Sequence, residues 1–85
     1  MKKATFDPVE ILHEQSLKAT PIRVALLEIL HQSKTPQTIE QLQKLLKKQG
    51  GDIATLYRAL ASFSEIGITK KLPLEDGVYS YELSK

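Results

Sequence analysis

The punctuation of this chain constrains its fold more than any other feature. Asp7-Pro8 and Thr20-Pro21 each place a side-chain oxygen acceptor directly ahead of a proline. The acceptor caps the exposed N–H groups of a helix, and the proline opens it with a pre-set backbone angle. Thr35-Pro36 then breaks the chain. Thr38 with Gln41 three residues later has capping-box spacing. Gly50-Gly51 supplies a stop, Asp52 a fourth cap, and Gly67 a helix-terminating glycine. These signals predict helices over Pro8 to about Gln15, Pro21 to about Gln32, Thr38 to Gly50, and Asp52 to about Glu65.

Apolar spacing within those windows is helical. Val9 and Leu12, with Ile11 beside them, are expected to face inward from the first helix. Ile22, Leu26, Ile29 and Leu30 form the stripe of the second, and Ile39, Leu42, Leu45 and Leu46 that of the third. Ile53, Leu56, Leu60 and Phe63 form the fourth. After Gly67 the period drops to two. Ile68–Leu72 is a short β-prone run, Pro73 to Gly77 reads as a turn, and Val78–Leu83 alternates Tyr79, Tyr81 and Leu83 onto one face. Three or four helices followed by a hairpin give an α+β winged helix-turn-helix in one domain over residues 1–85.

Composition excludes more than it identifies. The chain has 85 residues, 41% hydrophobic and 26% charged, an ordinary globular balance. It has no Cys, so disulfide frameworks and thiolate metal sites are excluded. No apolar run approaches the roughly 20 residues of a membrane span. The basic start Met1-Lys2-Lys3 lacks the apolar core of a secretion signal, so a cytoplasmic protein is expected. A net charge of +2 does not by itself indicate nucleic acid. Binding to DNA requires basic residues gathered on one face.

The fourth helix offers such a face. With its stripe inward, Ala54, Thr55, Tyr57, Arg58 and Ser62 remain outside. Small residues near a helix start admit it to the major groove, Thr and Tyr pack on thymine methyls, and Arg reads guanine or holds phosphate. Lys18 precedes the second helix, Arg23 lies in its first turn, and Lys70 and Lys71 lie on the hairpin, where a wing meets the DNA backbone. Lys44, Lys47 and Lys48 crowd the end of the third helix, where cations also favour the helix dipole. An alternative reading of Tyr57 and Arg58 is a half-exposed pair on an ordinary surface helix.

Four segments resemble the ferric uptake regulator family. Leu17-Lys18-Ala19-Thr20-Pro21-Ile22-Arg23 resembles its Gly-Leu-Arg/Lys-x-Thr-x-x-Arg opening. Ala54-Thr55-Leu56-Tyr57-Arg58-Ala59-Leu60 resembles its Ala-Thr-Val-Tyr-Arg-x-Leu recognition helix, the most specific of the four. Glu65-Ile66-Gly67-Ile68 resembles its turn into the wing, and Tyr81-Glu82-Leu83 the end of its second wing strand. The resemblance implies a dimeric, metal-responsive bacterial repressor that binds AT-rich inverted repeats. It assigns Tyr57 to thymine, Arg58 to DNA, Thr55 to a base or phosphate, Lys18 to the minor groove and Arg23 to a phosphate.

The departures bear on metal. The family's C-terminal dimerisation and metal-binding domain, with its His-rich motif, is absent from residues 1–85. The His that many members carry before the third helix is also missing, since that stretch reads Lys34-Thr35-Pro36-Gln37-Thr38. Glu82 matches a metal-ligating position, but one donor holds no metal. His13 and His31 lie on separate helices. No metal is therefore assigned to this chain, and iron, zinc or manganese is expected only of a full-length member. By itself the chain is expected to be monomeric. No nucleophile, phosphate loop or paired carboxylates outside a turn suggest an enzyme. Two rival readings stay open: a winged-helix protein-interaction module, and DNA binding without metal control.

Overall fold

The computed structural model describes residues 6–84; the basic start Met1-Lys2-Lys3 lies outside them. The elements run α1 (Pro8–Glu14), α2 (Pro21–Gln32), β1 (Gln37–Thr38), α3 (Ile39–Leu45), a 3-10 turn (Lys47–Gln49), α4 (Ile53–Glu65), β2 (Thr69–Pro73) and β3 (Tyr79–Leu83). Every expected cap forms. The Asp7, Thr20, Thr38 and Asp52 side chains each accept from a backbone N–H three residues on. The Thr38–Gln41 capping box is reciprocal, with the Thr38 N–H donating back to Gln41 Oε1 at 2.9 Å. These are short-range bonds, which is why they are legible in sequence.

Leu12, Leu26, Leu27, Leu42, Leu46, Leu56, Leu60 and Phe63 are fully buried and form the core. Each such side chain contributes about 1.5–3 kcal/mol relative to exposure. Leu27 lies outside the expected stripe of α2, yet it is buried because α2 packs against α1, α3 and β3 together. Ala59 is buried likewise on α4.

Three residues expected inside are not. Leu45 is 55% exposed because the chain tightens into the 3-10 turn after it and delivers Leu46 to the core instead. Ile53, at 48%, and Val9, at 40%, sit in the first turns of α4 and α1, at the margins of the core.

The hairpin acquires a third strand that the sequence reading did not anticipate. β1, only two residues long, pairs antiparallel with β3, giving the order β1-β3-β2. β3 is therefore central, and both Ser80 and Tyr81 are buried despite pointing to opposite faces. At the tip, Asp76 and Gly77 take left-handed angles of 58° and 74°, as the Asp-Gly pair predicts. A hydroxyl pair, Ser64 to Thr69 at 2.8 Å, ties the end of α4 to the start of β2. Helices followed by this hairpin make the winged helix-turn-helix that the sequence predicts. No helix among the described residues is long and apolar enough to cross a membrane.

Candidate nucleic-acid interface

The outer face of α4 is presented as its pattern predicts. Ala54, Tyr57 and Arg58 are exposed, Thr55 and Ser62 are half-buried, and Tyr57 keeps 54% of its surface open. Asp52 starts this helix, accepting the Thr55 N–H at 2.8 Å. Its carboxyl is held below the usual range by bonding to Thr55, with a smaller contribution from Arg58.

Two grooves flank this face. On one side, Thr20, Ile22 and Arg23 from the start of α2 meet Thr55, Arg58, Ala59 and Ser62 of α4. The fold thus brings Arg23 and Arg58, 35 residues apart in sequence, to one cleft with three hydroxyls. Arg23 Nη1 also donates to the Lys18 carbonyl at 2.9 Å. That bond ties the loop bearing the exposed Lys18 to the first turn of α2, leaving most of the five guanidinium N–H donors for other partners. Thr20 and Ser62 complete the cleft. Thr20 reads in sequence only as a cap, and Ser62 only as an outward residue, so their convergence with the two arginines had no local signal.

On the other side, Tyr57 lines a groove with Thr38 of β1, Ile39 and Glu40 of α3, and Val78, Tyr79 and Tyr81 of the hairpin. Burial raises the Tyr81 phenol above its usual range, with Tyr57 and Tyr79 adding to the effect, so it stays neutral at physiological pH. The wall beside Tyr57 is thus aromatic and uncharged apart from Glu40.

The wing separates its two lysines. Lys70 is registered opposite Glu82 and Lys71 opposite Tyr81, so they point to opposite faces of the sheet. Lys71 Nζ lies 4.2 Å from the centre of the Tyr79 ring, a cation–π contact that directs it toward the Tyr57 groove. Both are exposed, and they leave β2 on opposite sides of the wing.

Metal donors do not converge among the described residues, where no group of three or more His, Cys, Asp or Glu comes together. Glu82 and His31 line one shallow depression with Ser33 and Lys34, and the lysine opposes a cation there. The described residues therefore bring no donor set together that fits a bound metal ion.

The family model of the ferric uptake regulator family matches residues 14–85. The chain belongs to the ferric uptake regulator family. It is 34% identical over 77 residues to the ferric uptake regulation protein of Bacillus subtilis, covering 87% of this chain and 52% of that one. It is 38% identical over 79 residues to the Campylobacter upsaliensis protein of the same name, covering 88% and 51%. Among solved family structures, the Vibrio cholerae ferric uptake regulator superposes with a TM-score of 0.82 at 34% identity, over 93% of this chain and 63% of that one. The Pseudomonas aeruginosa regulator, solved with manganese, gives 0.81 at 28% identity, over 94% and 62%. The chain spans about half the length of the family relatives it matches.

Proposed function

We propose that this chain is the operator-reading domain of a metal-responsive bacterial transcription repressor. In this reading α4 enters the major groove of double-stranded DNA and the β2–β3 wing lies along the backbone. Tyr57 meets thymine methyls, Thr55 and Ala54 allow close approach, and Arg58 reads a base edge or holds a phosphate. Arg23 takes a phosphate, Lys18 reaches the minor groove, which is narrow and electronegative in AT-rich DNA, and Lys70 and Lys71 supply wing contacts. The observation that carries this is the outer face of α4: small at its start, exposed at Tyr57 and Arg58, and joined by Arg23 in one cleft. The Vibrio cholerae relative is described as having DNA-binding domains, which supports the assignment.

Residues 1–85 form a single winged-helix domain in this proposal, and dimerisation and metal sensing belong to the part of the relatives this chain does not cover. The metal is iron, zinc or manganese; relatives carry manganese and iron in their structures. A relative named as a peroxide-responsive repressor, 32% identical over 80 residues, leaves the signal open between metal supply and peroxide. Two domains paired through that missing part match the two halves of an inverted repeat, and the repressor acts in the cytoplasm, where bacterial DNA lies. One domain alone is monomeric and binds weakly, because it lacks the effective-concentration gain of a linked pair.

Fluorescence anisotropy of the 85-residue chain tests this, using an AT-rich inverted-repeat duplex and a scrambled duplex across a salt series. Tighter binding to the repeat, weakening as salt rises, is expected. Absence of binding to either duplex at low salt would refute the DNA reading and favour a protein partner for the same face.

A further inference from the structure

The sequence places Lys44, Lys47 and Lys48 at the end of α3, where helix-dipole stabilisation accounts for them without any partner. The tertiary structure puts them somewhere more specific. After Leu45 the chain winds into the 3-10 turn Lys47–Gln49, with Lys44, Lys47, Lys48 and Gln49 all exposed. The Gly51 N–H then donates back to the Leu46 carbonyl at 3.0 Å, and the Asp52 N–H to the Gly50 carbonyl at 3.0 Å. These bonds close the lysine-bearing turn, and α4 starts immediately after it from the Asp52 cap.

Gly51 fixes where that turn sits. It is buried, and a Cβ on it would lie 3.3 Å from Ile22 Cδ1. Ile22 in turn lines the cleft that holds Arg23 and Arg58. The 3-10 turn itself also packs against α2, so the lysine turn and the arginine cleft are supported by the same helix. Charge is segregated to match. Residues 18–23 and 44–58 carry six of the twelve basic residues of the chain and one of its ten acidic ones, although the whole chain is only +2. The single acid, Asp52, is engaged as the α4 cap.

We propose that Lys47 and Lys48, with Lys44 behind them, extend the DNA-binding surface past the start of α4 as a phosphate-contacting strip. The inference rests on α4 facing DNA as proposed above. The partner is a DNA phosphate backbone, since flexible ammonium groups act as point charges that neutralise phosphates and do not read bases. The strip contributes affinity that is indifferent to sequence and sensitive to salt, lengthening the footprint beyond the bases that α4 reaches.

The test is the same anisotropy series on the wild-type chain, Lys47→Ala/Lys48→Ala, Lys47→Arg/Lys48→Arg and Lys34→Ala. Lys34 follows α2 at its far end, and a helix of 12 residues is about 18 Å long. That exceeds a screening length of about 10 Å at 0.1 M salt. The double alanine variant is expected to lower the log–log salt slope by about 2, near 0.9 per phosphate, with equal losses on matched and scrambled duplexes. The double arginine variant should keep the wild-type slope, and Lys34→Ala should leave it unchanged. A wild-type slope in the double alanine variant, an equal drop in Lys34→Ala, or a loss confined to the matched duplex would each overturn the strip while leaving the α4 reading intact. Failure of the wild-type chain to bind either duplex would overturn both.

Discussion

Replacing Gly51 with alanine probes the packing that seats the turn between α3 and α4 on α2. The added methyl would lie 2.9 Å from Leu46 Cβ, 3.0 Å from the Leu46 carbonyl oxygen and 3.3 Å from Ile22 Cδ1. Carbon atoms rest at about 3.5–4.0 Å, so relief needs a shift of more than half an ångström, and two of the three obstacles belong to or adjoin backbone. The Leu46 carbonyl cannot move freely, because it accepts both the Gly51 and Gln49 N–H groups at 3.0 Å. Overpacking of this kind costs about 1–3 kcal/mol, and weakening one backbone hydrogen bond adds about 1 kcal/mol. The expected loss is therefore about 2–4 kcal/mol, a melting-point fall of roughly 8–32 °C for a domain this size. Gly50→Ala is the control. Its Cβ would meet nothing within 4 Å, and only its φ of +79° is strained, costing about 1 kcal/mol. Thermal unfolding followed by far-ultraviolet circular dichroism compares the two. A Gly51→Ala protein melting within about 2 °C of wild type, or above Gly50→Ala, would refute the packing argument.

Further expectations concern the recognition face and the caps. Tyr57→Ala should weaken binding to the AT-rich duplex by about 1–3 kcal/mol more than to a scrambled one, the scale of one lost base contact; equal losses by anisotropy would remove its base-reading role. Arg58→Ala should weaken binding to both duplexes, and an unchanged affinity would exclude it from the interface. Thr38→Ala removes one half of the capping box and should cost about 1 kcal/mol in urea unfolding. Asp52 has a folded-state pKa below its ordinary 3.8. Its charged form therefore stabilises the fold above that pH, and this contribution is lost as pH falls through the depressed value. Asp52→Asn keeps a capping oxygen without the titration, so its stability should fall less steeply than wild type below about pH 4. Parallel pH profiles in urea would contradict this.

Local chemistry accounts for what was legible in the chain alone. Each helix start rests on a bond between residues three apart, so Asp7, Thr20, Thr38 and Asp52 announce themselves without reference to the rest of the fold. The left-handed turn at Asp76-Gly77 and the outward set Ala54, Tyr57 and Arg58 follow from short periods in the same way. What depends on neighbours from elsewhere in the chain was not legible. A two-residue strand such as β1 has no periodicity, and it exists only because β3 offers a partner edge more than 40 residues on. Leu27 is buried and Leu45 exposed because adjoining elements and a tightened turn decide which flank of a helix is covered. Lys70 and Lys71 must take opposite faces of any strand, but only the pairing with β3 decides that Lys71 is the one sharing a face with Tyr81. Arg23 and Arg58 share a cleft, and the lysine turn rests on the same α2, only once α2, the 3-10 turn and α4 are packed. The sequence determines the helices, their caps and the exposed surface of the fourth. Only tertiary packing decides which charges share a surface, because electrostatic attraction to DNA depends on distances in space that sequence spacing does not set.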